Sequence, residues 1–155
     1  MTHATPGHSG APAKARRREV WAWASWDWGS AAFNAVMTTF VFTVYLTSDS
    51  FGGEDHASAV LGAGLAIAGV LVAVLAPVAG QRSDAGGRRK LWLGVNTVAV
   101  CVATGLCFFV YPSENFLLLG VALIALANVF FEFANVNYFA MLKQVSTPGT
   151  IGRVS

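Results

Sequence analysis

The chain has 155 residues, of which 55% are hydrophobic and only 12% are charged, and its formal charge is +2. A soluble domain carries about 25% charged residues, whereas four apolar stretches here reach the ~20 residues that a membrane-crossing helix needs. The composition therefore excludes an ordinary soluble or nucleic-acid-binding domain. It predicts an all-α integral membrane protein embedded in a lipid bilayer.

The chain opens with a polar segment, residues 1–19, that ends in a basic run from Lys14 to Arg18. Its low apolar content predicts a disordered arm. The first span is predicted over residues 28–46, and tryptophans cluster at its entrance. Such amphipathic rings favour the headgroup level of a membrane, so they mark an interface: Trp21, Trp23, Trp26 and Trp28.

Three further spans are predicted over residues 57–79, 91–110 and 116–141. The second is dense in small residues four positions apart, a spacing that lets another helix approach closely. The pairs are Gly62/Ala66, Gly64/Ala68 and Gly69/Ala73. Pro112 is predicted to end the third span.

Basic residues alternate from side to side along the chain. All ten Lys and Arg lie in the N-terminal arm, in the central segment Gly80–Lys90 or after residue 142, and the two opposite loops have none. Positive charge is retained on the cytoplasmic side of membrane proteins. We therefore expect a multi-pass protein of the cell membrane with both termini and the central segment in the cytoplasm.

Polar side chains within the first span are candidate functional groups because they are costly in hydrocarbon. Asp27, Asn34, Thr38 and Tyr45 are separated by 7, 4 and 7 residues, offsets that return to one face of an α-helix. Asn34 and Thr38 are predicted to line a cavity. The alternative is that they join helices through hydrogen bonds.

The fourth span contains the strongest candidate. Asn128, Glu132 and Asn135 are four and three residues apart and so share one helix face. A carboxylate within the bilayer needs a partner, a proton or water. Glu132 is therefore predicted to bind substrate or a proton, and the alternative is a structural partner for a group on another helix.

The central segment has the spacing G-x-x-x-D-x-x-G-R-R-K, which resembles the signature loop between helices two and three of the major facilitator superfamily. The matching residues are Gly80, Asp84, Gly87, Arg88, Arg89 and Lys90. The resemblance implies a cytoplasmic charge network that acts as a conformational latch. Arg82 departs from the apolar residue that is usual in that family.

A second resemblance concerns the branch related to the autophagy-type vacuolar amino-acid effluxers. The entrance motif Asp27-Trp28 through Phe33, with Ala31 in place of the usual serine, is similar to the start of their first helix. The end, Ile151 to Ser155, is similar to the segment before their fifth helix. Amino acids as substrates are implied by this resemblance alone.

Together these resemblances imply helices 1–4 of a six-helix half of a major facilitator fold, covering residues 20–155. The superfamily requires about twelve spans with the site between two halves. We therefore expect an N-terminal fragment of a secondary transporter, whose partners are a small solute and the missing helices of the parent protein.

Two other functions stay open at this point: a complete four-helix dimeric exporter of the small multidrug type, and a non-transporting scaffold subunit. An enzyme is not expected, because the spans contain no histidine and no pairing of a nucleophile with a base. No cofactor or metal is predicted, since no Cys or His spacing suggests a ligand set.

Overall fold

A computed structural model of the chain describes residues 13–145, apart from the side chains of residues 13–20, 23, 83–85 and 142–145. All regular secondary structure in this part is helical. Four of its segments are long and apolar enough to cross a membrane: Ala24–Leu46, Glu54–Arg82, Arg89–Phe109 and Glu114–Met141. For the described residues, the prediction of an all-helical fold with four candidate spans is confirmed.

The first span is not one regular helix. Helix α1 (Ala13–Phe33) continues as a π-helix (Asn34–Phe40) and then as the short helix α2 (Phe42–Leu46). The Val41 amide donates to the carbonyl of Val36, five residues back, at 3.1 Å. Because α1 begins at Ala13, residues 13–19 of the predicted disordered arm are helical, as suits their Ala, Lys and Arg content. Residues 1–12 lie outside the described part.

Glycines mark the turn between the first and second spans. After a short 3₁₀ turn (Asp49–Phe51), Gly52 and Gly53 have φ of +92° and +100°. Residues other than glycine rarely adopt these backbone angles. Helix α3 (Glu54–Ala85) then begins with two acidic residues, which favour the positive end of a helix dipole.

The central segment is a helix end and a tight turn, not the loop that was predicted from Gly80 to Lys90. Helix α3 continues to Ala85, and only three residues separate it from helix α4 (Arg89–Leu106). Gly87, at φ +60°, supplies the left-handed turn. A helix can extend beyond the hydrocarbon because its charged side chains are then in water, which explains the longer α3.

Helix α5 (Glu114–Val145) organises the packing of the described part. It lies along both α3 and α4, which touch each other little, and its contact with α1 is slight. Residues 146–155, which include most of the polar end predicted from Lys143, lie outside the described residues.

Buried side chains concentrate at the end of the bundle that carries the turns before α3 and before α5. We call this the closed end. Leu46, Phe51, Ala57, Ile124 and Ala127 are completely buried. The cluster joins all four spans through Met37, Phe42, Leu46, Phe51, Ala57, Leu61, Cys107, Val110, Leu117, Val121, Leu123 and Ile124.

One of the predicted small-residue pairs contributes to this packing. Ala68 is buried, and a Cβ added to Gly64 would collide with the Val121 side chain of α5. Gly62 and Gly69 have no such neighbour and are exposed. The close approach of α3 and α5 therefore depends on the Gly64 face of α3.

Candidate functional site

An apolar cavity of about 780 Å³ lies between the first span, α4 and α5. We call it the groove. Its walls are formed by α1 and α4, and α5 forms its floor. Residues that line it include Ser25, Gly29, Ala32, Phe33, Thr97, Cys101, Thr104, Gly105, Phe131 and Ala134.

Trp26 ties helix α1 to its neighbours at one side of the groove. Its indole N–H donates to the Thr97 hydroxyl at 3.0 Å, and that hydroxyl in turn donates to the Leu93 carbonyl at 2.7 Å. The Trp26 ring also stacks on Tyr138 of α5, with ring centroids 4.3 Å apart. One side chain thus contacts two other spans.

The rest of the entrance motif has a different environment. Phe33, seven residues after Trp26, packs against Phe131 with centroids 4.9 Å apart. Asp27 and Trp28 are exposed, and Trp28 is 83% accessible. The sequence analysis predicts the same interfacial position for all four tryptophans. The seven-residue spacing of Trp26 and Phe33, which puts them on one helix face, is the one signal in the sequence that indicates a packing role for Trp26.

The two cavity candidates of the first span lie in the π-helix. Asn34 is exposed, whereas Thr38 is partly buried and its hydroxyl has no hydrogen-bond partner among the described residues. A π-helix has a wider turn than an α-helix, so the α-helical spacing that grouped them with Asp27 and Tyr45 does not apply here. Neither residue lines the groove.

Tyr45 has a structural partner at the closed end. Its hydroxyl donates to the carbonyl of Val110 at 2.8 Å, and its ring meets Phe51 edge-on with centroids 5.1 Å apart. These contacts link the end of the first span to the end of the third.

The three candidates on α5 lie together but outside the groove. Asn128, Glu132 and Asn135 are each partly buried, and their spacing keeps them on one side of α5. Among the side chains that the structure describes, none forms a hydrogen bond or ion pair with the Glu132 carboxylate. Their role in binding stays a prediction.

Two other asparagines are more deeply buried than these candidates. Asn96 and Asn137 are 4% and 2% accessible. Their side-chain amides donate to carbonyls one turn earlier in their own helices, those of Trp92 and Phe133, each at 2.8 Å. Both bonds are internal to one helix, so neither joins two spans.

The central segment Gly80–Lys90, which we now call the basic turn, makes a contact across the bundle. Arg89 Nη1 donates to the carbonyl of Ala140 in α5 at 2.9 Å, and Arg88 is exposed. Gly80, in α3, would place an added Cβ 3.6 Å from Val136 of α5. The side chain of Asp84 lies outside the described part.

The chain is similar in sequence to a bacterial MFS-type transporter. The uncharacterized MFS-type transporter YxiO of Bacillus subtilis (strain 168) is 32% identical over 136 residues, which are 86% of this chain and 31% of the relative. The chain thus spans less than a third of that protein's length. No family model and no solved structure matches the chain.

Proposed function

We propose that this chain is the N-terminal part of a major facilitator superfamily transporter that moves a small solute across a membrane by alternating access. The observation that carries the proposal is the similarity to an MFS-type transporter along 86% of the chain. Four candidate spans and the spacing of the basic turn support it independently. A transporter, and not an enzyme, is the class that this similarity favours.

In this proposal the chain supplies the first four helices of a longer carrier. Support comes from the relative, of which the chain covers 31%. Carriers built from two repeats hold their substrate near the bilayer midplane, where the repeats meet. The complete site therefore needs helices beyond the four described here.

Glu132 is the group that we propose binds solute or a proton. It lies between Asn128 and Asn135 on one side of α5, well inside the span Glu114–Met141. A carboxylate at that depth is costly unless it meets a cation, a proton or water. Asn34 and Thr38 of the first span are proposed to complete the polar lining when the other half of the carrier is present.

The basic turn is proposed to act as the conformational latch. The Arg89–Ala140 hydrogen bond supports this role, because it joins the turn to the C-terminal part of α5. Gly80, Asp84, Gly87 and Arg88 are its other members. The ten basic residues favour a cytoplasmic position for the turn and for both termini.

The test uses the complete carrier, from the reading frame that contains this chain, in proteoliposomes with radiolabelled amino acids and an imposed pH gradient. We expect Glu132→Gln to lower uptake at least about tenfold, equivalent to roughly 1.4 kcal/mol, and to remove its pH dependence. Glu114→Gln is the matched control, since Glu114 is exposed in the first turn of the same helix.

Unchanged uptake and pH dependence in Glu132→Gln would remove this residue from the mechanism. Equal losses in both variants would point to a general effect on α5. Failure of the wild-type carrier to move any amino acid would contradict the substrate class implied by the resemblance.

A further inference from the structure

The polar side of α5 opens between two neighbouring helices. We give this name to the side that carries Asn128, Glu132 and Asn135. Phe131 of α5 packs on Phe33 of α1, and Val136 lies beside Gly80 of α3. At about 100° per residue, all three polar residues point between the directions of Phe131 and Val136. Because α1 and α3 touch each other little, the polar side faces an opening between these two helices.

Glu132 is the charged residue that lies deepest within the four candidate spans. It is nine residues from Met141, the nearer end of its span. The other charged residues of the spans lie within three residues of an end: Asp27, Glu54, Asp55, Arg82, Arg89, Lys90 and Glu114. The four spans therefore place no Lys or Arg at the depth of the Glu132 carboxylate.

We infer that the polar side binds a protonated amine, and that the carrier therefore takes solutes with an ammonium group, either amino acids or simple amines. The inference rests on the proposed function, in which Glu132 binds solute or a proton. Within that function it names the part of the solute that meets the carboxylate.

An ammonium group matches the acceptors of the polar side. A carboxylate accepts hydrogen bonds and donates none, and each asparagine adds an amide oxygen that accepts. An ammonium has three donors and no acceptor. Asn128 and Asn135 are four and three residues from Glu132, so both are its neighbours on the helix surface. One ammonium can donate to the carboxylate and to an adjacent amide oxygen, and it also balances the negative charge.

Other ligands fit the polar side less well. Glu132 repels an anion, and the repulsion is stronger at low dielectric constant than in water. A metal ion needs several oxygens at about 2.3–2.6 Å, whereas Asn128 and Asn135 are seven residues apart, or about 10 Å along α5. A neutral solute leaves the carboxylate uncompensated, which is costly within a bilayer.

The test measures the Tm of the purified complete carrier in detergent with matched ligands, since a ligand that binds the folded state raises the Tm. Two triads are used, each with an amino acid, the amine that lacks its carboxylate and the acid that lacks its amine. They are phenylalanine, phenethylamine and 3-phenylpropionate, and leucine, 3-methylbutylamine and 4-methylpentanoate. We expect the amino acid or the amine of at least one triad to raise the Tm by about 2 °C or more at saturation. Neither acid should do so.

Two variants show whether Glu132 itself binds the amine. Glu132→Gln keeps the size of the side chain and removes its charge, so it should lose the Tm shift. Glu132→Asp keeps the charge and should retain a shift. The Tm of each variant without ligand shows whether it is folded. If Glu132→Gln does not fold, the triads on the wild-type carrier still decide the ligand class.

Three results would overturn the inference. The first is an acid that raises the Tm of the wild-type carrier as much as its matched amine. The second is the absence of a shift with every amine and amino acid. The third is an equal shift in the wild-type carrier and in Glu132→Gln, which would place the amine elsewhere. A shift with the amino acids alone would identify amino acids as the solutes, and a shift with the amines as well would identify simple amines.

Failure of the amine assignment and failure of the proposed transport are distinguishable, because the Tm detects binding and needs no transport. Binding of an amine that depends on Glu132, without uptake of any solute, would keep the amine site and reject the carrier. Uptake that depends on Glu132, without a Tm shift from any amine or amino acid, would keep the carrier and reject the amine.

Discussion

The closed end and the groove are built in opposite ways. At the closed end all four spans contribute side chains to one buried cluster, and Leu46, Phe51 and Ile124 have no accessible surface. At the groove, α1 stands apart from α4, and individual contacts such as those of Trp26 bridge the space. The same four spans are therefore sealed at one end and open at the other.

The difference shows which contacts the four spans can complete by themselves. Lipid tails are as apolar as leucine, so membrane helices associate through close packing and hydrogen bonds and not through escape from water. The closed end satisfies that requirement with interlocking side chains. In the described part of the chain, the groove leaves this requirement unsatisfied.

Breaking the closed end should have the largest effect. Gly64→Leu drives a side chain into Val121, and overpacking of this kind costs about 1–3 kcal/mol. We expect unfolding of the 155-residue chain at clearly lower SDS mole fraction, measured by circular dichroism in mixed micelles. Gly62→Leu is the control, since it adds the same side chain to the open side of α3.

Equal destabilisation by the two glycine substitutions would show that helix composition, and not the α3–α5 contact, sets the stability of the closed end. A stable Gly64→Leu variant would mean that α3 and α5 are further apart than the structure has them.

Removing the bridge beside the groove should have a smaller effect. Trp26→Ala loses the stacking on Tyr138, worth about 0.5–1.5 kcal/mol, and the hydrogen bond to Thr97, worth about 0.6 kcal/mol. We expect a loss of roughly 1–2 kcal/mol in the same assay. Trp28→Ala, which removes a ring that is 83% accessible, should be nearly neutral.

Hydrogen exchange can sharpen this comparison. Amides of α1 near Trp26 should lose protection in Trp26→Ala, while those of the closed end keep it. Uniform loss of protection would mean that the two ends unfold together and that the distinction between them has no energetic basis.

The smallest effect is expected from one hydroxyl at the closed end. Tyr45→Phe removes the hydrogen bond to the Val110 carbonyl but keeps the ring against Phe51. The loss should be about 0.6 kcal/mol, as for other hydrogen bonds between membrane helices. Tyr111→Phe, at an exposed tyrosine nearby, is the control and should change nothing.

The sequence predicts that the chain has four spans and that they are helical. It predicts less about where each helix ends and where it is irregular. Four spans could be found because length and apolar content govern membrane insertion. The sequence does not predict the extension of α3 to Ala85, because the polar residues after Ala79 favour a loop. It also does not predict the π-helix from Asn34, because the spacing of the polar residues favours a regular α-helix throughout the first span.

The candidate site residues also differ in how well the sequence could relate them to one another. Asn128, Glu132 and Asn135 share a side of α5 because one continuous helix contains them. Asn34 and Thr38 could not be related to them from spacing, since they lie on another span and in an irregular segment. Trp26 and Thr97, 71 residues apart, show no pattern in the sequence that would have paired them.

Composition and charge by themselves thus determined that the chain enters a membrane as four helices and where its basic turn lies. These are transfer properties of each segment, which depend on its own residues. Only the tertiary structure decided which glycine of α3 is packed, which tryptophan bridges three spans and where the groove opens. Those outcomes depend on contacts between segments, and each contact is set by the rotation and register of two helices together.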